Sequence, residues 1–154
     1  MISILFICHG NICRSTMAEC VMKDLIAKAG KSGAFVIDSA GTSREEIGNP
    51  IHHGTRRKLQ QVGVPLCDHR AVQMTKADYQ TYDYILAMDS ANIRNSLRIT
   101  GGDPEGKIKR LLDLTERPRD IADPWYTGNF DETYRDVLEG CQALLTLCLE
   151  GSNP

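Results

Sequence analysis

The strongest constraint on the fold is a junction near the start of the chain, where an apolar run passes directly into a short polar loop and then into a helical pattern. The run Ile2–Ile7 is apolar except for Ser3 and predicts a buried strand. Residues Thr16–Ala29 carry apolar side chains at the spacing of one helix face. Between them lies Cys8–Ser15, which we call the cysteine loop, so this part of the chain is predicted to fold as strand, tight loop and helix.

The composition of the cysteine loop favours the binding of an oxyanion. Backbone N–H groups at a helix N-terminus have no intrahelical partner and lie at the positive end of the helix dipole, so they attract negative charge. Gly10 permits a positive φ and a close approach of the backbone, and the planar guanidinium of Arg14 can bind two oxygens at once. The same positive field favours the thiolate form of Cys8, which is a ready nucleophile. The alternative is that Cys8 is a buried apolar residue and Arg14 a solvated charge.

The rest of the chain alternates predicted strands with predicted helices. Such alternation predicts a parallel sheet covered by helices on both faces, with a ligand at the carboxyl ends of the strands, near the point where the strand order reverses. We therefore predict a single α/β domain over residues 1–154, built on a four-stranded, twisted, Rossmann-like parallel sheet. The later strands are predicted at Phe35–Ile37, Tyr84–Met88 and Lys107–Leu112. The later helices are predicted from Pro50, with Asn49 as its N-cap, to Val62, from Ser90 to Ile99 and from Asp131 to Leu149, with a short helix after Thr75 and a loop over 113–128.

Charge and hydropathy argue against two classes of partner. The formal net charge is −2, so the chain has no general basic field for nucleic acid or an anionic membrane, and any anion binding must be local. No apolar run approaches the ~18 residues of a membrane span.

The six cysteines come without a secretory signal pattern, and 154 residues can bury a core without disulfides. We therefore expect free thiols and a cytoplasmic protein.

Two Asp-Pro pairs compete for the role of a catalytic acid. If sulfur takes a phosphoryl group, the leaving oxygen needs a proton and the later hydrolysis needs an activated water, and one carboxyl group can serve both steps. Asp103-Pro104 lies in a glycine-rich turn and is typical of turn chemistry. Asp123-Pro124 is followed by Trp125-Tyr126, whose rings can keep a carboxyl group partly protonated and hold a phenyl phosphate. We favour Asp123, although the two rings are also compatible with plain packing.

Cys8–Ser15 resembles the active-site loop of the low-molecular-weight protein tyrosine phosphatases. Four later stretches resemble the same family in the same order, namely 38–42 (DSAGT), 69–71 (HRA), 84–89 (YILAMD) and 123–126 (DPWY). The resemblance implies a metal-independent enzyme, without a cofactor, that hydrolyses phosphotyrosine in proteins through a phosphocysteine intermediate. Its partners would be tyrosine-phosphorylated proteins, with phosphate or another oxyanion in the loop.

The resemblance also implies a role for each residue of the site. Cys8 would be the nucleophile, Arg14 the group that stabilises the transition state, and Asp123 the general acid and base. Asp89 would bind the loop backbone or Arg14. Ser15 would donate a hydrogen bond to the sulfur of Cys8, Ser39 and His69 would bind Asn11, and the substrate would contact His9, Gly10, Asn11, Ile12, Cys13, Ser15, Trp125 and Tyr126.

Three further expectations concern the surroundings of the loop. His52 and His53 are predicted to be exposed in the first turn of a helix, because no further ligands at suitable spacing indicate a metal site. Cys13 lies close enough to Cys8 in sequence for a disulfide that would protect the nucleophile from irreversible oxidation. Relatives often carry an aromatic residue after the second strand, whereas this chain has Glu45 and Glu46 there.

Other functions on the same scaffold remain open at this stage. An arsenate reductase needs a second pair of cysteines to relay oxidation, and Cys67 stands alone in the corresponding region. A phosphoarginine phosphatase tends to have Thr where this chain has Ile12. A phosphocysteine carrier or a non-catalytic phosphate binder would have no use for Asp123 and its aromatic neighbours.

Overall fold

The computed structural model describes residues 1–151 and contains one four-stranded sheet. Its strands are β1 (Ile2–Cys8), β2 (Phe35–Gly41), β3 (Tyr84–Ala87) and β4 (Ile108–Arg110), and all pairings are parallel. The spatial order is β2-β1-β3-β4, so the chain runs outward from β1 to β2 and then returns to the other side of β1. This arrangement confirms the predicted parallel α/β sheet and places its topological switch point between β1 and β3.

Helices cover both faces of the sheet, as predicted. Side chains of β1 alternate between two apolar clusters, with Ile4 and Phe6 on one face and Leu5 and Ile7 on the other. Each fully buried side chain of this size contributes about 1.5–3 kcal/mol of transfer free energy. No helix within residues 1–151 is long and apolar enough to cross a bilayer. The helices are α1 (Arg14–Lys28), α2 (His53–Val62), α3 (Asp78–Thr81), α4 (Ser90–Thr100), α5 (Pro124–Thr127) and α6 (Phe130–Gly151).

Two strands differ in length from the prediction. β2 continues to Gly41 instead of ending at Ile37, because every one of its residues pairs with β1, from Ile2 opposite Phe35 to Cys8 opposite Gly41. β4 is shorter than predicted, since a 3₁₀ turn begins at Leu111. The extension of β2 places Ser39 within the sheet, where it pairs with Phe6.

Two helices also differ from the prediction. α2 begins at His53, with His52 as its N-cap, and not at Pro50. The predicted cap, Asn49, is engaged in the preceding loop, where its N–H donates to Glu46 and its carbonyl accepts from Ala71. The region 113–128, predicted as a loop, contains α5. Pro124 occupies the first turn of this short helix, where a missing N–H costs nothing.

The expectation of free thiols throughout is wrong for one pair. Cys20 on α1 and Cys67 form a disulfide, with Cα atoms 5.5 Å apart. The two residues are 47 positions apart in sequence, and only the packing of α1 against the segment before His69 brings them together. The other four cysteines, Cys8, Cys13, Cys141 and Cys148, are free and buried.

Candidate active site

The cysteine loop surrounds the sulfur of Cys8 with hydrogen-bond donors. β1 ends at Cys8 and α1 begins at Arg14, so the loop crosses the carboxyl edge of the sheet at its switch point. The N–H of Asn11 donates to Sγ over 3.3 Å, and the hydroxyl of Ser15 lies 2.9 Å from Sγ. Because that hydroxyl also accepts from the Asn11 amide, its own proton is directed to the sulfur. Two donors are therefore directed at Sγ.

The left-handed position of the loop is Asn11, with φ of 58°, and not Gly10 as predicted. Gly10 instead gives the loop room, since a Cβ there would lie 3.3 Å from the Glu46 side chain, which would have to shift slightly. Gly41 has the same role from the opposite side, because a Cβ at the end of β2 would lie 2.8 Å from the carbonyl oxygen of His9. No role was predicted for Gly41, although a glycine within a strand is a signal of close backbone approach.

Four hydrogen bonds hold the side chain of Asn11 in place. Its amide nitrogen donates to Ser39 over 3.0 Å and to Ser15 over 2.9 Å. Its carbonyl oxygen lies 2.7 Å from His69 Nε2 and accepts from the backbone of Val72 over 3.0 Å. Asn is one of the few residues other than glycine that adopt a left-handed conformation, and this buried network holds Asn11 in it. The structure thus places Ser39 and His69 against Asn11, where the family resemblance puts them.

A buried carboxylate that sequence analysis missed lies behind this network. Glu19 on α1 is only 2% exposed and accepts from the hydroxyl of Ser39 over 2.6 Å. Its oxygens also lie 3.2 Å from His69 Nδ1 and 2.7 Å from the ammonium of Lys23. A buried charge is tolerated only when it is paired and hydrogen bonded. The only sequence signal was the four-residue spacing from Glu19 to Lys23, which is common on exposed helices.

The guanidinium of Arg14 links the cysteine loop to two carboxylates from distant parts of the chain. Nη1 donates to Asp89 over 2.7 Å and to the carbonyl of Ile121 over 2.8 Å, and Nη2 lies 3.4 Å from Asp123. Burial alone would lower the pKa of Arg14, but Cys8 and the two carboxylates outweigh it and raise the pKa. Arg14 therefore carries a permanent positive charge, and Asp89 binds this side chain.

Asp123 lies at the end of an irregular stretch, residues 115–123, that we call the acid segment. One carboxylate oxygen caps α5 by accepting from the backbone of Trp125 over 3.0 Å, and the other faces Arg14. Asp103, the rival candidate, instead accepts from the Tyr79 hydroxyl and the Lys107 backbone over 2.7 Å, at a turn away from the loop. Of the two Asp-Pro carboxylates, therefore, Asp123 is the one that lines the pocket beside Arg14.

The loop and Asp123 line one pocket of about 120 Å³. The lining includes the exposed aromatic side chains of Trp125 and Tyr126 and the acidic side chains of Glu45 and Glu46. His9 lies at the mouth, with Nε2 3.1 Å from a Glu45 oxygen. The predicted contacts Asn11 and Ser15 do not line the pocket, because the Ser15 hydroxyl lies against the sulfur and the Asn11 side chain binds Ser15, Ser39 and His69. The lining residues are Cys8, His9, Gly10, Ile12, Cys13, Arg14, Glu45, Glu46, Asp123, Trp125 and Tyr126.

His52, predicted to be exposed, and Cys13 both lie beside the pocket. His52 is not a fully exposed residue, since it caps α2 and packs edge-on to Trp125 with ring centroids 5.5 Å apart. Burial and the adjacent His53 lower the pKa of His52.

Burial and the nearby Cys8 raise the pKa of Cys13 to about 12, so Cys13 remains a neutral thiol beside the pocket. Within residues 1–151, no group of three or more His, Cys, Asp or Glu side chains is arranged to hold a metal ion.

Comparisons with known proteins agree with this geometry. Residues 3–151 match the family model described as low molecular weight phosphotyrosine protein phosphatase. The chain is 45% identical over 147 residues to the Bacillus subtilis low molecular weight protein-tyrosine-phosphatase YfkJ, covering 94% of each chain. It is 38% identical over 148 residues to the human low molecular weight phosphotyrosine protein phosphatase, covering 93% of each. The crystal structure of YfkJ superposes with a TM-score of 0.96 and 42% identity, covering 99% of this chain and 98% of that one.

Proposed function

Because this chain belongs to the low molecular weight phosphotyrosine protein phosphatase family, we propose that it hydrolyses phosphotyrosine in proteins, in two steps at Cys8. The observation that supports this most strongly is the convergence of three groups on one pocket: the sulfur of Cys8, the guanidinium of Arg14 and the carboxyl group of Asp123. Residues 1–154 act as a single domain in this proposal, without a cofactor. The partners are tyrosine-phosphorylated proteins of the cytoplasm.

In the first step the phosphoryl group moves from tyrosine to sulfur. The phosphate binds in the cysteine loop, with its oxygens against the backbone N–H groups and Arg14. The thiolate of Cys8 attacks phosphorus and forms the S–P bond as the bond to the tyrosine oxygen breaks. Asp123 gives its proton to the departing oxygen, so the product leaves as a neutral phenol. Preorganised donors of this kind are each worth about 10²–10³ in rate.

In the second step water releases the phosphate. Asp123, now a carboxylate, takes a proton from a water molecule as its oxygen attacks phosphorus. The S–P bond breaks, and its electron pair returns to the sulfur of Cys8. The hydroxyl of Ser15, 2.9 Å from Sγ, stabilises the departing thiolate. Inorganic phosphate then leaves, and both Cys8 and Asp123 regain their starting protonation states.

The shape of the pocket favours an aromatic phosphoester. The nucleophile lies at its floor, and Trp125 and Tyr126 rise above it with 58% and 83% of their surface exposed. A phosphotyrosine ring spans that depth and packs against the two rings, whereas the shorter phosphoserine does not reach Cys8. Ile12 adds an apolar surface to the floor, which favours a phenyl ring over the charged guanidine of phosphoarginine.

A side-by-side assay tests this proposal. We expect hydrolysis of para-nitrophenyl phosphate and of a phosphotyrosine peptide, with little hydrolysis of matched phosphoserine and phosphoarginine peptides. Alkylation of Cys8 with iodoacetate should abolish all of it, and Cys148→Ala serves as a control for modification elsewhere. A faster reaction with phosphoarginine, thiol-dependent reduction of arsenate without phosphatase turnover, or full activity after alkylation of Cys8 would each contradict the proposal.

A further inference from the structure

We propose that the ion pair between Arg110 and Asp120 positions Asp123 for proton transfer. Arg110 is the last residue of β4, and Asp120 precedes Asp123 by three positions in the acid segment. Neither side chain lines the pocket, so both act through Asp123 as positioning residues. The inference rests on the proposed role of Asp123 as general acid, and the experiment below separates the two claims.

Three donors converge on a single oxygen of Asp120. Arg110 Nη1 donates to Oδ1 over 3.0 Å, and Ser90 donates to the same atom from its backbone over 3.0 Å and from its hydroxyl over 3.1 Å. Partial burial alone would raise the pKa of Asp120, but the hydrogen bonds from Arg110 and Ser90 outweigh it and lower the pKa. Asp120 therefore stays ionised and fixed at the carboxyl edge of the sheet.

The guanidinium of Arg110 is itself held in orientation. Its Nε and Nη2 atoms donate to one oxygen of Asp113 over 3.0 and 2.8 Å, which leaves Nη1 directed at Asp120. The backbone N–H of Arg110 donates to the other oxygen of Asp113 over 2.9 Å. The pair is therefore built from a preorganised cation on the sheet, and not from two freely rotating surface side chains.

The residue after Asp120 connects this anchor to the reacting groups. The N–H of Ile121 donates to the carbonyl of Met88 over 2.8 Å, and its carbonyl accepts from Arg14 over 2.8 Å. Only Ala122 separates Ile121 from Asp123. Since the acid segment has no regular secondary structure, the fixed position of Asp120 limits how far the Asp123 carboxyl group can move relative to the leaving oxygen.

A second contact restrains the acid segment, and it connects the segment to α6 and not to the sheet. Arg119 Nη2 donates to Asp136 over 2.8 Å and to Glu139 over 2.9 Å, both on α6. The acid segment is thus held between α6 and the edge of the sheet. Because the sheet edge also carries Asp89 and the cysteine loop, the contact through Asp120, unlike the one through Arg119, fixes the acid segment relative to Cys8, together with the bonds of Ile121 and Asp123 to Arg14.

If the pair of Arg110 and Asp120 contributed only to folding stability, its loss would change the free energy of unfolding only slightly. The side chains of Arg110 and Asp120 are 25% and 50% exposed, and exposed pairs are typically worth about 0–1 kcal/mol. Misplacement of a proton donor by about 1 Å, in contrast, can cost about 10²-fold in rate. Such a loss in rate is confined to substrates whose leaving oxygen needs the proton. A rate loss that depends on the leaving group therefore distinguishes a positioning role from a purely structural one.

The test compares two esters that differ in their need for the acid. In Arg110→Met we expect kcat/KM to fall about tenfold for phenyl phosphate and less than about twofold for para-nitrophenyl phosphate, which has the better leaving group. Arg110→Lys should recover part of the loss. Arg98→Met is the matched control, since it removes an arginine whose contact is Asn95 on the same helix. Equal slowing of both esters, or no slowing of either, would overturn the inference.

A double-mutant cycle with Asp123 completes the experiment. Asp120→Asn preserves the shape of the side chain and should reproduce the selective loss even if Arg110→Met folds poorly. In an Asp123→Asn background it should have no further effect on phenyl phosphate, whereas an additive loss would contradict the positioning role. If Asp123→Asn alone slows both esters equally, the acid role of Asp123 fails and this inference fails with it. If Asp123→Asn is selective and Asp120→Asn is not, only the positioning inference is wrong.

Discussion

The cysteine loop and the acid segment line the same pocket, but they are held there by different means. The loop joins the central strand β1 to α1, and its residues Asn11, Arg14 and Ser15 are at most 2% exposed. The acid segment has no regular structure and ends beside exposed aromatic rings. Apart from the backbone bonds of Ile121 to Met88 and Arg14, it is held by ion pairs of partly exposed side chains, such as the one between Arg110 and Asp120. Cys8 is therefore held by a buried loop between two regular elements, whereas Asp123 depends in part on ion pairs that single surface substitutions can remove.

The largest difference between the two regions is expected at the nucleophile itself. Cys8→Ser should reduce turnover by at least about 10⁴-fold, because a serine hydroxyl is not ionised by the donors around it. Phosphate binding, measured by calorimetry, should persist because the cradle of N–H groups and Arg14 is unchanged. Residual turnover within tenfold of the wild type would show that the attacking group lies elsewhere.

Substitution in the acid segment should have a smaller and more selective effect. We expect Asp123→Ala to slow phenyl phosphate hydrolysis by about 10²–10³-fold and para-nitrophenyl phosphate much less, because the better leaving group departs without a proton. Steady-state kinetics on both esters measure this ratio. Asp103→Asn, in the other Asp-Pro pair, should leave the ratio unchanged, and equal slowing of both esters by Asp123→Ala would remove Asp123 from the acid role.

The rigidity of the cysteine loop can be tested at its left-handed residue. Asn11→Gly removes the side-chain network but adopts a positive φ without strain, whereas Asn11→Ala loses the network and keeps about 1 kcal/mol or more of strain. Both should lower kcat by about 10–10²-fold, with Asn11→Ala less stable than Asn11→Gly in urea unfolding. If Asn11→Ala kept full activity, the hydrogen bonds to Ser39 and His69 would not be needed to shape the loop.

The smallest effect on catalysis is expected at the disulfide beside the loop. It closes a sequence separation of 47 residues, and its loss through Cys67→Ser should lower the free energy of unfolding by about 2–4 kcal/mol. The kcat of the folded enzyme should change less than twofold, because Cys20 and Cys67 touch neither the pocket nor Asn11. Dithiothreitol should destabilise the wild type but not Cys67→Ser, and equal thermal shifts in both proteins would contradict a stabilising disulfide.

Sequence reasoning worked where the relevant interactions are local. The apolar run of β1, the loop of Cys8–Ser15 and the helical pattern that follows are contiguous, so the pattern predicts both the elements and their order. The four parallel strands followed from the alternation of strands and helices. The ends of elements were less accurate: β2 extends past Ile37 because β1 offers it partners, and α2 starts late because the Asn49 backbone binds elsewhere.

The sequence by itself thus determined the fold class, the cysteine loop and the identity of the candidate acid, since each depends on neighbouring residues or on a family pattern. Only the tertiary structure decided that Arg14 binds Asp89, 75 residues away, and faces Asp123, 109 residues away. It also decided the burial of Glu19, the pairing of Cys20 with Cys67 and the anchoring of Asp120. The physical reason is that the order of the parallel strands brings their carboxyl ends together, and no local pattern encodes which distant side chains meet at that edge.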